Sequence, residues 1–147
     1  MRVYLAGPLF TPYVRGYLDE VAARLRDDGF DVFVPHEQAL ALGTDVTAGE
    51  IFEKDLEGLA GAEAVLALLD GSQVDDGTAC EIGLFYALMR SDPAKKGIVG
   101  LLTDLRSLRL EEGHGLNLFV EGCVAACGEV TASLEDALAA LGRLRTD

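Results

Sequence analysis

Residues 62–83 read Ala62-Glu63-Ala64-Val65-Leu66-Ala67-Leu68-Leu69-Asp70-Gly71-Ser72-Gln73-Val74-Asp75-Asp76-Gly77-Thr78-Ala79-Cys80-Glu81-Ile82-Gly83. Ala62 to Leu69 is apolar apart from one glutamate and shows no alternation, the pattern of a strand covered on both faces. Asp70-Gly71-Ser72 ends it, and Thr78 to Met89 reads as a helix. Working outward, Arg2 to Ala6 is a strand cut by Gly7-Pro8. A helix follows from Pro12 to Asp28, with Val14, Leu18, Val21, Ala22 and Leu25 on one stripe. Asp31 to Val34 is a second strand ended by Pro35, and a polar, glycine-containing segment leads to a helix over Thr47 to Leu59. Beyond Met89 come a strand over Gly97 to Leu102, a glycine-rich loop, an apolar segment from Leu116 to Ala126, a weak strand near Glu129-Val130 and a helix over Ser133 to Arg145. Apolar strands alternating with helices imply an α/β fold: a doubly wound parallel sheet with helices on both faces, one domain over residues 1–147. Ligands of such sheets sit beyond the carboxyl ends of the strands, which marks three loops, Gly7 to Pro12, Pro35 to Gln38 and Asp70 to Glu81.

The chain has 147 residues, half of them hydrophobic, and sets 25 Asp and Glu against 12 Lys and Arg for a formal charge of -13. That field repels polyanions, so nucleic acid polymers and anionic membrane surfaces are poor partners. No apolar run reaches the roughly 20 residues of a membrane span. Three cysteines, Cys80, Cys123 and Cys127, cannot all pair, and a reducing cytoplasm is the expected location. There is no P-loop, dinucleotide fingerprint or nucleophile elbow. His36, His114 and the cysteines never fall in a zinc-ligand spacing. No metal and no cofactor is expected, and carboxylate chemistry remains.

Thr78-x-x-Glu81 fits a capping box, as do Thr47 to Glu50 and Ser133 to Asp136, and a cap by itself accounts for Glu81 without any chemistry. Its position argues for more. Glu81 lies at the carboxyl edge of the most apolar strand, just after Asp75, Asp76 and Gly77. Carboxylates gathered there repel one another and push at least one pKa upward. Two carboxyl groups in different protonation states are what cleavage of a glycosidic bond needs.

Four segments resemble motifs of the nucleoside 2-deoxyribosyltransferase family, in the family's order. They are Val3-Tyr4-Leu5-Ala6-Gly7-Pro8-Leu9-Phe10, Lys54-Asp55-Leu56-Glu57-Gly58-Leu59, Asp75-Asp76-Gly77-Thr78-Ala79-Cys80-Glu81-Ile82-Gly83 and Gly115-Leu116-Asn117-Leu118. The resemblance implies a flavodoxin-like sheet of five parallel strands and exchange of the purine or pyrimidine base of a 2'-deoxyribonucleoside. It makes Glu81 the nucleophile that carries a covalent deoxyribosyl group, in a retaining double displacement. Asp75 and Asp55 become the carboxylates that contact and protonate the base, Asp75 being favoured as the acid, with Asp76 partly interchangeable. Tyr4 would orient the nucleophile, and Asn117 would bind the sugar across a subunit interface, which implies a homo-oligomer. Phe10 and Gln38 are candidates for stacking on and hydrogen bonding to the base, Gly7 and Gly77 line the same site, and His36 borders it. The partners implied are a deoxynucleoside and a free nucleobase.

Two alternatives share this pattern. A hydrolase of 2'-deoxynucleoside 5'-monophosphates would use Glu81 in the same way, but the loop Gly7 to Phe10 lacks the Ser or Arg that a phosphate site wants. A non-catalytic flavodoxin-like module such as a receiver would need a lysine near its acidic edge, whereas Lys95 and Lys96 precede the fourth strand.

Overall fold

β3 (Ala64–Leu68) is buried at every residue: it is the central strand, and helices cover both of its faces. The computed structural model describes residues 1–42, 45–112 and 115–146. β1 (Arg2–Ala6) lies on one side of β3 and β4 (Gly97–Leu101) on the other, with β2 (Asp31–Phe33) and β5 (Gly128–Thr131) at the edges. The order is β2-β1-β3-β4-β5 and every pairing is parallel. Tyr4 stands beside Val65, and Val65 beside Ile98. Strand order reverses between β1 and β3, so the loops after those two strands flank the crevice where such sheets bind ligands.

Side-chain alternation along β1 builds the two faces. Val3 and Leu5 join Leu18, Val21 and Leu25 of α1 (Pro12–Asp27) and Leu138 and Leu141 of α6 (Leu134–Thr146). Tyr4 and Ala6 join the opposite cluster, with Phe33, Leu59 of α3 (Ala48–Gly61), Ile82 and Phe85 of α4 (Asp76–Met89) and Val124 of α5 (Leu118–Ala125). Gly7 ends β1 at a close crossing: a Cβ there would stand 2.9 Å from Leu18 Cδ2 and 3.3 Å from Leu68 Cβ. Its absence of a side chain thus sets the height at which α1 packs on the sheet.

Three sequence expectations are corrected. The segment after Pro35 is not a loop but a helix, α2 (Pro35–Leu42). Proline's fixed φ suits the first helical position, and His-Glu-Gln-Ala-Leu continues from it. Two side-chain pairs then fasten α2 to α1: Arg26 to both carboxylate oxygens of Glu37 at 3.0 and 2.7 Å, and His36 Nε2 to Asp19 Oδ1 at 2.7 Å. Within the expected glycine-rich loop, Leu105–Glu112 forms a 3-10 helix. The helix expected from Thr78 starts at Asp76, with consequences for Glu81 given below. Among the described residues no helix is long and apolar enough to cross a membrane.

Candidate active site

Asp75 and Thr78 compete to cap α4, and Asp75 wins. Its Oδ2 accepts from the backbone N–H of Thr78 at 3.1 Å and from the Thr78 hydroxyl at 3.3 Å, while Thr78 is buried beneath it. The expected box between Thr78 and Glu81 therefore does not form. By contrast, Thr47 and Glu50 make the full reciprocal box at the start of α3. Ser133 Oγ accepts from the Asp136 N–H at 3.2 Å and donates to its carboxylate at 2.7 Å. Capping by Asp75 leaves the Glu81 carboxylate free, and its Oε1 accepts from the Tyr4 hydroxyl at 2.6 Å.

Tyr4 is fully buried, and its ring stacks on Phe33 with centroids 5.2 Å apart and planes 13° from parallel. Burial, then the charge of Glu81, hold its phenol well above the ordinary tyrosine range, so it stays a donor. Glu81 is partly buried, and loss of hydration pushes its carboxyl up to about 7. The Tyr4 hydrogen bond opposes that rise, while the charges of Asp55 and Asp75 add to it. Asp55, from the middle of α3, is itself raised by burial and is close enough to raise both Glu81 and Tyr4.

Gly58 brings Asp55 to this position. It lies three residues on, on the same face of α3. A Cβ there would come within 2.5 Å of Phe33 Cε1, in a ring already held by Tyr4. Gly58→Ala is therefore expected to destabilise the protein by about 1–3 kcal/mol through overpacking, despite its gain in helix propensity. Urea denaturation measures it; a stability equal to wild type would contradict the packing described.

Two clefts open at the carboxyl edge of the sheet and share Ser72, Gln73 and Val74. The first, of about 420 Å3, is walled by Phe10, Tyr13, Asp75 and Asp76. Phe10 is 82% exposed there. The second, of about 370 Å3, runs past Arg106, Leu116 and Asn117. Glu81 and Tyr4 line neither cleft. Asn117 caps α5, its Oδ1 accepting from the N–H groups of Phe119 at 2.9 Å and Val120 at 3.4 Å. Gly77 is the second residue of α4, with its N–H on Asp76 Oδ1 at 2.9 Å, and Gln38 lies on α2. The structure thus brings together Tyr4, Asp55, Asp75 and Glu81, and leaves Gln38 and Asn117 on separate elements. His114 lies outside the described residues.

Sequence reasoning missed the polar network that shapes the clefts. Asp70, just past β3, accepts from the N–H and hydroxyl of Thr103 at 2.6 and 2.5 Å. Asp104 accepts from Gly71 N–H at 3.0 Å and from Arg106 Nε and Nη2 at 3.0 and 2.8 Å. Arg106 Nη2 also donates to the Leu69 carbonyl at 2.5 Å. The available signal was an aspartate within three residues of the end of each of two apolar strands; the pairing needed their adjacency in the sheet.

The fold and site define an α/β protein with a flavodoxin-like parallel sheet and carboxyl groups gathered near its carboxyl edge. The model of the nucleoside 2-deoxyribosyltransferase family matches residues 3–132, and the chain belongs to that family. Among solved structures it is similar to a conserved protein from Enterococcus faecalis V583, with a TM-score of 0.77 and 26% identity over 97% of this chain and 98% of that one. A 2-deoxyribosyltransferase from Bacillus psychrosaccharolyticus follows, with a TM-score of 0.72 and 24% identity over 94% of this chain and 90% of that one. The CMP N-glycosidase of Clostridium botulinum shares the fold more distantly, with a TM-score of 0.55 and 16% identity over 97% of this chain and 99% of that one.

Proposed function

We propose that the protein exchanges the nucleobase of 2'-deoxyribonucleosides through a deoxyribosyl group held on Glu81. The observation that carries this reading is the Tyr4–Glu81 hydrogen bond, which aims a carboxylate poised near neutrality beside a second raised carboxyl, Asp55. Glu81 attacks as its carboxylate, the form it takes as pH rises through about 7, and a neighbouring carboxyl group donates the proton. A Glu81 oxygen forms a bond to C1' as the bond from C1' to the base nitrogen breaks, and the proton passes to the departing base. An incoming base reverses both steps. We assign the proton to Asp55, because Asp75 Oδ2 is committed to holding the start of α4. The other Asp75 oxygen is left for hydrogen bonding to the base.

An uncharged nucleoside fits better than a nucleotide. Arg106 is the one cation that lines either cleft among the described residues, and its guanidinium is already paired with Asp104. Incubation with thymidine, with and without adenine, tests the reading. Deoxyadenosine formed from adenine supports it; thymine and free sugar without transfer, or turnover of the 5'-monophosphate alone, refutes it.

A second copy of the chain completes the site in this reading. Leu118 and Phe119, beside Asn117, are 71% and 80% exposed, and Leu105 and Leu108 of the 3-10 helix are 81% and 78% exposed. Apolar exposure of this kind marks interaction surfaces. Phe119→Asp is expected to convert an oligomer to monomers with loss of exchange activity, measured by light scattering and the same assay; a monomeric wild-type protein would end this part of the reading.

A further inference from the structure

Lys95 is the one lysine or arginine buried among the described residues. Its ammonium donates to the carbonyls of Ala60 at 2.5 Å, Ala62 at 2.6 Å and Leu59 at 3.4 Å, the last turn and exit of α3. Carbonyls at a helix end have no partner within the helix and carry its negative pole, so a buried cation is held there firmly. Asp92 stands 3.7 Å away on the exposed side. The same ammonium lies over the ring of Phe85, 5.5 Å from its centroid, a cation–π contact in a desolvated setting. Phe85 is one helical turn beyond Glu81 on α4, while α3 carries Asp55.

We infer that Lys95 is a positioning residue for the reaction: by fastening the end of α3 to α4 through three carbonyls and the Phe85 ring, it fixes the spacing between the helices that carry Asp55 and Glu81. Its partners are the three carbonyls, Asp92 and the Phe85 ring, and neither carboxylate is among them, so it acts through the two helices. Desolvation argues against a merely incidental lysine, since a buried ammonium without such partners is strongly disfavoured.

The inference rests on the proposed roles of Asp55 and Glu81, and its test includes a readout that needs no turnover. The groups that set the Glu81 titration are Tyr4, Asp55 and Asp75. In Lys95→Met, loosening of α3 admits water and separates Asp55 from Glu81, so the Glu81 midpoint, followed by carboxyl carbon-13 NMR, drops by about half a pH unit or more. Simple loss of a nearby positive charge would move it upward. Exchange kcat falls roughly 10- to 100-fold, as misplacement of reacting groups by about an ångström would cause, with KM changed less than about threefold. Lys96→Met removes the same charge one residue away and leaves both readouts at wild-type values. Should Lys95→Met fail to fold, Lys95→Arg decides on the same readouts, because a planar guanidinium does not place one atom among three carbonyls. A folded Lys95 variant with an unchanged or raised Glu81 midpoint and an unchanged kcat overturns the inference. A wild-type protein that exchanges no base refutes the proposed function instead, and the titration alone then decides on Lys95.

Discussion

Glu81→Gln is expected to lower base exchange by about 10⁴-fold or more, since loss of a covalent nucleophile removes the two-step route entirely. The glutamine keeps the shape of the side chain, and its carbonyl still accepts from Tyr4, so the fold is retained. Intact mass after incubation with a deoxynucleoside separates the cases: wild type carries one deoxyribosyl adduct and the variant none. Near wild-type exchange by a folded Glu81→Gln protein would remove the assignment. The same substitution has an opposite effect on stability. The Glu81 carboxyl titrates near 7 in the folded protein against 4.5 in an ordinary glutamate. Below about pH 4.5 it is protonated in both folded and unfolded chains and has no effect. Between 4.5 and 7 the folded protein holds more protons than the unfolded chain, so stability falls as pH rises. At pH 8 the full cost is present, and Glu81→Gln is expected to be more stable than wild type by about 3 kcal/mol, a gain that vanishes at pH 4. Urea midpoints at the two pH values measure it.

Asp55→Asn is expected to reduce kcat by roughly 10²–10³-fold, the range for loss of a general acid. A damaged pocket would slow all substrates alike. Loss of a proton donor instead spares those whose base leaves readily as an anion, so deoxynucleosides of electron-poor bases should lose least. With the donor gone, the alkaline limb that its deprotonation sets in the pH–rate profile disappears. An equal loss across all bases, with that limb unchanged, would return the acid role to Asp75.

How much of this was legible in the chain varies by element. The unbroken apolar run of β3 and the stripe on α1 specify their elements through burial alone, and both stand where periodicity puts them. Pro35 is ambiguous in the sequence because proline both ends a strand and opens a helix. The choice is made by the pairs that Arg26–Glu37 and His36–Asp19 form with α1, which local sequence does not show. The cap of α4 is ambiguous for a similar reason: Asp75 and Thr78 are both good caps, and burial of Thr78 decides between them. Tyr4 and Glu81 stand 77 residues apart, and only parallel packing of β1 beside β3 brings the first strand to the start of α4. The resemblance named Asp55; its partial burial, which raises its pKa, depends on Gly58 meeting Phe33, a fit that no spacing rule contains.

Tyr4 holds the Glu81 carboxylate from a fully buried position in β1, not from a loop. Loops and lids ordinarily open before the rest of a protein, and activity then fades ahead of the global transition. Here the oxygen that steadies Glu81 moves only when β1 leaves the sheet. Heating should therefore leave the Tyr4–Glu81 pair intact up to the cooperative unfolding of the domain and end it there, with the loss of that pair and the loss of the fold being one event.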